Sequence, residues 1–140
     1  MISLMETMLS SKSNATAPLS ILVVDDYPQS AESFAYVLRI ENFTVTVAHS
    51  GDEALRIFDD VRPSVVMLDL LMRPLDGFDV AKAIRSRNQG AKTLLIAITG
   101  WAQEGLPQQC YDAGFNAFFL KPINYTELKK LLTWGVVLQH

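Results

Sequence analysis

The sequence is poor in cysteine and histidine, two residue types that often bind transition metals. Cys110 is the single cysteine, and His49 and His140 are the only histidines. One thiol cannot form an internal disulfide, and the Cys and His spacing of a zinc site is absent. Neither histidine has partner residues at ligand spacing, so neither is expected to bind a metal. These shortages exclude disulfide scaffolds and zinc modules, and they fit a reducing cytoplasmic environment.

Basic residues and long apolar runs are also scarce. Twelve Lys and Arg against fifteen Asp and Glu give a formal net charge of −3. Without a basic face, we expect no direct nucleic-acid partner. The longest apolar runs include residues 21–24 and 65–68, whereas a membrane span takes about 20 residues. We therefore predict no transmembrane helix and no membrane partner.

The length and composition indicate one folded domain. The chain has 140 residues, of which 49% are hydrophobic, enough for a single sizeable core. Residues 10–17 are mostly Ser, Thr, Asn, Ala and Lys, and Pro18 follows them, a composition with little to bury. We predict a flexible N-terminal arm over residues 1–18 and one domain over residues 19–140. We expect no effector domain, because the predicted elements occupy the chain to its end.

Hydrophobic patterning predicts strands that alternate with helices. The predicted strands are Ser20–Val24, Phe43–Ala48, Ser64–Leu68, Thr93–Ile98 and Asn116–Leu120. The predicted helices start near Pro28, after Ser50, at Gly77, at Leu106 and at Tyr125, and the last two end at Ala113 and Leu138. Five strands joined by helical crossovers predict an α/β fold, a doubly wound parallel sheet with helices on both faces. The second strand has one less buried face and is expected near an edge of the sheet.

Polar residues follow four of the five predicted strands at their carboxyl ends. These residues are Asp25 with Asp26, then Asp69, Thr99 and Lys121. Carboxyl ends of parallel strands lie at one edge of the sheet, where ligands bind. Three carboxylates brought together there need a hard cation, and Mg²⁺ is the natural choice. A carboxylate can attack phosphorus if the phosphoryl charge is spread over cationic and hydroxyl partners, which the lysine and threonine would supply.

Five motifs in this order resemble the receiver domain of response regulators in two-component and phosphorelay signalling, over roughly residues 20–138. They are residues 21–26 (ILVVDD), 66–69 (VMLD), the Asp-Gly pair at 76–77, residues 98–100 (ITG) and Lys-Pro at 121–122. The resemblance implies a flavodoxin-like (βα)5 fold with strand order 2-1-3-4-5. It also implies that Asp69 accepts a phosphoryl group from a histidine kinase or a histidine phosphotransfer protein. Such a receiver is not an enzyme acting on free substrates, but it promotes its own phosphorylation and dephosphorylation.

The resemblance also assigns metal ligands. Asp26 and Asp69 would bind Mg²⁺ directly, with Mn²⁺ as a second candidate ion. Asp25 would act mainly through a water molecule, and the backbone carbonyl of Leu71 would be a further ligand.

Other residues would respond to phosphorylation. Thr99 and Phe118 would be repositioned, and the Lys121–Pro122 bond is expected to be cis. The face of the fourth helix, fifth strand and last helix would then change its binding to a downstream protein or to a second copy of the chain.

The residues beside the acceptor depart from the family pattern or vary within it. Arg73 stands where the family usually has proline, and Pro74 follows one position later. The resemblance implies that Leu71 and Trp101 flank the path of the attacking water, and both are bulky and apolar. We predict that they slow hydrolysis of the acyl phosphate.

In the last helix, Trp134 and residues 136–137 extend the apolar stripe and fit either core packing or a docking patch.

Two other functions remain open from the sequence. One is a phosphorylation-independent docking module, in which the acidic cluster is structural and the switch is not used. The other is a metal-dependent phosphatase, which would need an acid two residues after Asp69. Leu71 occupies that position, so this reading ranks last.

Overall fold

The computed structural model describes residues 19–138, with side chains described as far as Thr133. The predicted N-terminal arm, His140 and the side chains of Trp134, Val136 and Val137 lie outside this part. None of the helices within it is long and apolar enough to cross a membrane.

Five strands alternate with five α-helices along the described chain. The strands are β1 (Ser20–Val24), β2 (Thr44–Ala48), β3 (Val65–Asp69), β4 (Leu94–Thr99) and β5 (Ala117–Leu120). The helices are α1 (Pro28–Ile40), α2 (Gly51–Val61), α3 (Gly77–Arg85), α4 (Leu106–Ala113) and α5 (Tyr125–Leu138). All strand pairs are parallel, in the order β2-β1-β3-β4-β5. The α/β class, the parallel sheet, the strand order and the edge position of β2 are confirmed.

Small differences separate the predicted and observed elements. The third and fourth strands each begin and end one residue later than predicted, so Asp69 and Thr99 are the last residues of their strands. A 3-10 helix over Asn88–Lys92 was not predicted. It lies in a polar segment without apolar periodicity, the main sequence signal for a helix.

The sheet separates two apolar cores, because alternate side chains of a strand point to opposite faces. On β3, Val65 and Met67 pack toward α1 and α5, whereas Val66 and Leu68 pack toward α2, α3 and α4. All four side chains are almost fully buried. This burial on both faces explains the continuous apolar run in the sequence.

Arg85 forms a clasp at the amino ends of β4 and β5. Its guanidinium donates hydrogen bonds to the carbonyl oxygens of Gly90, Thr93 and Gly114 at 2.7–2.9 Å. It also donates to Oδ1 of Asn116 at 2.8 Å, and that same oxygen accepts a bond from the Leu95 N–H. The clasp therefore joins α3, the 3-10 helix and the segments that begin β4 and β5.

Candidate functional site

Four strand ends bring the predicted polar residues together at one edge of the sheet. Asp25 and Asp26 follow β1, Asp69 ends β3, Thr99 ends β4 and Lys121 follows β5. The register places Asp69 beside Ile98 and Thr99 beside Leu120. The fold therefore forms one site from residues that are up to 96 positions apart in the sequence.

The two acidic residues after β1 differ in exposure. Asp25 is 6% exposed, and its Oδ1 accepts a hydrogen bond of 3.0 Å from the Tyr27 N–H. Asp26 is exposed. The Tyr27 contact was missed from the sequence, although an Asp just before a helix start often accepts a hydrogen bond from the N–H two residues later, in an Asx turn.

Asp69 lies between a backbone donor and a cation. Its Oδ1 accepts a 3.0 Å hydrogen bond from the Leu71 N–H, and its Oδ2 lies 3.6 Å from Nζ of Lys121. The same Nζ is 3.5 Å from Oδ2 of Asp25. Burial raises the pKa of Asp69 above its ordinary value of 3.8; the Leu71 N–H and Lys121 oppose the rise, and Asp25 adds to it. Burial therefore disfavours the charged form of this carboxylate.

The carboxylates of this site fit a divalent cation. One oxygen from each of Asp25, Asp26 and Asp69 lies within 4.8 Å of the others. Lys121 is the cation paired with this cluster among the ion pairs of the described residues, which leaves three carboxylates facing one ammonium. A hard dication with oxygen ligands would balance the remaining charge.

The start of α3 packs directly on the end of β3. A Cβ atom at Gly77 would lie 2.6 Å from the Asp69 carbonyl oxygen and 2.9 Å from Cα of Leu70. The Gly77 N–H donates a 3.2 Å bond to the Leu70 carbonyl. Asp76 caps the helix through a reciprocal pair of bonds with Asp79. Together these two features explain the Asp-Gly pair in the sequence: the aspartate caps the helix, and only glycine permits the close approach to β3.

Thr99 and its neighbour Trp101 are linked by two hydrogen bonds. Thr99 is 1% exposed; its Oγ1 accepts from the Trp101 N–H at 3.2 Å and lies 3.3 Å from the Trp101 carbonyl oxygen. The side chains of Trp101 and Leu71 are 53% and 55% exposed. Phe118 is half-buried against the core beneath α2, α3 and α4.

Two proline peptide bonds near the site are cis, Lys121–Pro122 and Arg73–Pro74. Arg73 itself is exposed in the loop between β3 and α3.

Sequence comparison matches residues 21–133 to the family described as "Response regulator receiver domain". An uncharacterized 14.6 kDa protein of Leptolyngbya boryana is 34% identical over 83% of this chain and 88% of that protein. The probable transcriptional regulatory protein TcrX of Mycobacterium tuberculosis is 32% identical over 79% of this chain and 47% of its own length. Hybrid signal transduction histidine kinase C of Dictyostelium discoideum is 30% identical, but the match covers 10% of that kinase. The chain thus corresponds to only part of the latter two proteins.

Solved structures agree with this assignment. Chemotaxis protein CheY4 of Vibrio cholerae superposes with a TM-score of 0.79 at 27% identity, over 85% of this chain and 99% of that one. The receiver domain of a sensor histidine kinase from Pseudomonas aeruginosa, described with magnesium in its active site cleft, gives a TM-score of 0.78 at 29% identity. That match covers 86% of this chain and 98% of the domain. With the family match, the parallel sheet and the acidic cluster at its edge, the chain belongs to the response regulator receiver domain family of two-component signalling.

Proposed function

We propose that Asp69 is the phosphoacceptor, and that it takes a phosphoryl group from the phosphohistidine of a histidine kinase or a histidine phosphotransfer protein. The observation that carries the proposal is the pairing of this carboxylate with Lys121 beside a second carboxylate, in a half-buried site. A carboxylate oxygen of Asp69 forms the new bond to phosphorus, the phosphorus–nitrogen bond breaks, and its electron pair remains on the imidazole of the donor. No proton is removed from Asp69, so no general base is required.

Lys121 and Thr99 would stabilise the phosphoryl group. The Lys121 ammonium already lies between Asp25 and Asp69, so it is placed to pair with a phosphoryl oxygen. The Thr99 hydroxyl is hydrogen-bonded to the Trp101 backbone and would have to exchange these bonds for one to the phosphoryl group. Such charge-assisted bonds are stronger than those between neutral groups.

Asp25, Asp26 and Asp69 would hold Mg²⁺, or Mn²⁺ in its place, with the Leu71 backbone carbonyl as a further ligand. When bound, the ion would offset the repulsion between the carboxylates and stabilise negative charge on the phosphoryl oxygens.

The proposed output is a change in binding at the face formed by α4, β5 and α5. Thr99 ends β4 and pairs with Leu120 of β5, while Phe118 lies on the same strand. Movement of Thr99 toward the phosphoryl group would therefore displace residues of β5, where Phe118 would turn inward. A downstream protein or a second copy of the chain would read this change.

Leu71 and Trp101 are proposed to slow loss of the phosphoryl group. The backbone N–H of Leu71 donates to the proposed acceptor Asp69, and the backbone N–H of Trp101 donates to Thr99, which would stabilise the phosphoryl group. Both apolar side chains are half exposed at this edge, where they would hinder an attacking water. Replacing both with Asn should speed dephosphorylation, whereas Tyr111→Asn, at an exposed aromatic residue of α4, should not. Equal rates in wild type and the double variant would refute this role.

We further propose that residues 19–140 form the receiver domain, that residues 1–18 are an arm outside it, and that the chain works in the cytoplasm. The Dictyostelium kinase shows that similar sequences occur within longer hybrid proteins. We propose that it is a signalling receiver that promotes its own phosphorylation and dephosphorylation, and not an enzyme acting on free substrates, since its own Asp69 is the proposed acceptor.

Intact mass after treatment with acetyl phosphate and Mg²⁺ tests the acceptor assignment. Wild type and Asp60→Asn, a control at an exposed acid on α2, should each gain the mass of one phosphoryl group. Asp69→Asn should gain none, and Asp26→Asn should react more slowly. An equal gain in wild type and Asp69→Asn would overturn the assignment. No gain in any variant, with beryllofluoride also leaving Trp101 fluorescence unchanged, would favour the phosphorylation-independent docking module.

A further inference from the structure

Five loops join the carboxyl ends of the strands to the helices that follow them, and they form the surface that a phosphodonor approaches. The loops comprise residues 25–27, 49–50, 70–76, 100–105 and 121–124. Their only lysine and arginine residues are Lys121 and Arg73. The acidic residues of the same loops are Asp25, Asp26, Asp76 and Glu104. Negative charge therefore predominates where an anionic donor has to arrive.

The two basic residues of these loops differ in their partners. Nζ of Lys121 already lies 3.5 Å from Asp25 and 3.6 Å from Asp69. Arg73 is exposed, and the hydrogen bonds and ion pairs found within residues 19–133 include none to its guanidinium. The charge of Arg73 is therefore available to a molecule that approaches Asp69.

The loop that carries Arg73 is held close to the acceptor. The Leu71 N–H donates to Oδ1 of Asp69 at 3.0 Å, and the buried Met72 anchors the loop in the core beneath α2, α3 and α4. Leu71 and Arg73, on either side of Met72, are exposed. Because the chain extends at most about 3.6 Å per residue, Cα of Arg73 lies within about 12 Å of this carboxylate oxygen.

The charge balance of the site makes a further cation important for anionic donors. When ionised, Asp25, Asp26 and Asp69 carry three negative charges, which Lys121 and a bound Mg²⁺ would together balance. Such a site has no net charge with which to attract acetyl phosphate, a dianion at neutral pH. One guanidinium about 10 Å away should raise the local concentration of a dianion about two- to fourfold at low ionic strength.

We propose that Arg73 draws small anionic phosphodonors of the acyl phosphate class to Asp69 by long-range electrostatic attraction. This role rests on the proposed function, in which Asp69 is the acceptor. A carboxylate oxygen of Asp69 forms the new bond to phosphorus, the bond from phosphorus to the acyl oxygen breaks, and the electron pair leaves with the carboxylate product. Arg73 acts on the approach of the donor and does not touch the reacting atoms.

The rate of phosphorylation by acetyl phosphate with Mg²⁺, followed by intact mass, tests the proposal. Arg73→Gln removes the charge and Arg73→Lys keeps it. Arg62→Gln is the matched control, because Arg62 is exposed and follows α2 at the opposite edge of the sheet. At low ionic strength Arg73→Gln should react about two- to fourfold more slowly than wild type, and the other two variants should match wild type. At about 1 M salt all four proteins should react at one rate.

Two further measurements separate attraction of the donor from a structural or direct role. With phosphoramidate, a donor of smaller net negative charge near neutral pH, Arg73→Gln should slow the reaction less. Loss of the phosphoryl group should keep its wild-type rate in Arg73→Gln, because the attacking water is neutral; a changed rate would place Arg73 at the phosphoryl group itself and overturn the proposal.

The remaining outcomes distinguish this role from the function on which it rests. Equal rates for wild type and Arg73→Gln at low ionic strength would refute the role of Arg73 alone. A deficit that persists at about 1 M salt, or that is equal with both donors, would also overturn it. If none of the four proteins gains a phosphoryl group, the proposed function fails, and the role of Arg73 fails with it.

Discussion

The Arg85 clasp makes a stability prediction that can be worked from the structure. The guanidinium makes four hydrogen bonds, three to backbone carbonyls and one to the Asn116 side chain. Arg85→Lys keeps the positive charge, but one ammonium can replace only about one of the four bonds. At about 1 kcal/mol for each of the remaining three, the free energy of unfolding should fall by about 3 kcal/mol.

Arg87, two residues beyond the end of the same helix, provides a matched control. It pairs with Asp59 at 2.7 and 3.3 Å through an exposed contact, and it bonds the Ala83 carbonyl. Exposed ion pairs contribute about 0–1 kcal/mol, and a lysine can keep this one. Arg87→Lys should therefore cost at most about 1 kcal/mol.

Urea denaturation followed by circular dichroism measures both variants, with an unchanged m-value as the check that the unfolding remains comparable. The clasp lies at the opposite end of β4 and β5 from Thr99 and Lys121, so the folded Arg85→Lys protein should still accept a phosphoryl group. If Arg85→Lys lost no more stability than Arg87→Lys, the reasoning about the clasp would be wrong.

Three further predictions concern the acidic site. Burial and Asp25 raise the pKa of Asp69, so without Mg²⁺ its charge should destabilise the folded protein above that pKa, and stability should return as the pH falls toward the pKa of Asp69 in the unfolded chain. Asp69→Asn should be more stable than wild type near neutral pH and should lose this pH dependence in urea titrations; identical pH–stability curves for the two proteins would contradict the predicted direction. Mg²⁺ at about 100 times its Kd should stabilise wild type by about 2.7 kcal/mol in thermal or urea unfolding, and Asp26→Asn should need a higher concentration; an unchanged response would remove Asp26 from the ligand set. Gly77→Ala should lower the free energy of unfolding by about 1–3 kcal/mol and slow phosphorylation, because its Cβ would meet the Asp69 carbonyl oxygen. Gly100→Ala is the control: its Cβ would have its nearest contact at 3.9 Å, so its effect should be smaller in both assays.

Local patterns in the sequence were enough to predict the strands and most of the site. The apolar runs that end at Val24 and Leu68 are continuous because both faces of these strands are buried, so composition alone identifies them. The boundaries were off by about one residue, as at Asp69 and Thr99, because the last ladder bond of a strand depends on its neighbour. Strand order was inferred from resemblance rather than from the strands themselves, since an apolar run does not specify which strand it pairs with.

Residue types at strand ends determined by themselves that Asp25, Asp26, Asp69, Thr99 and Lys121 would meet, because parallel strands present their carboxyl ends at one edge. Only the tertiary structure decided how they meet. It placed one ammonium between Asp25 and Asp69 and pressed Gly77 against the acceptor strand. These are distances between residues far apart in the chain, and they depend on how helices pack on the sheet, which no local pattern encodes.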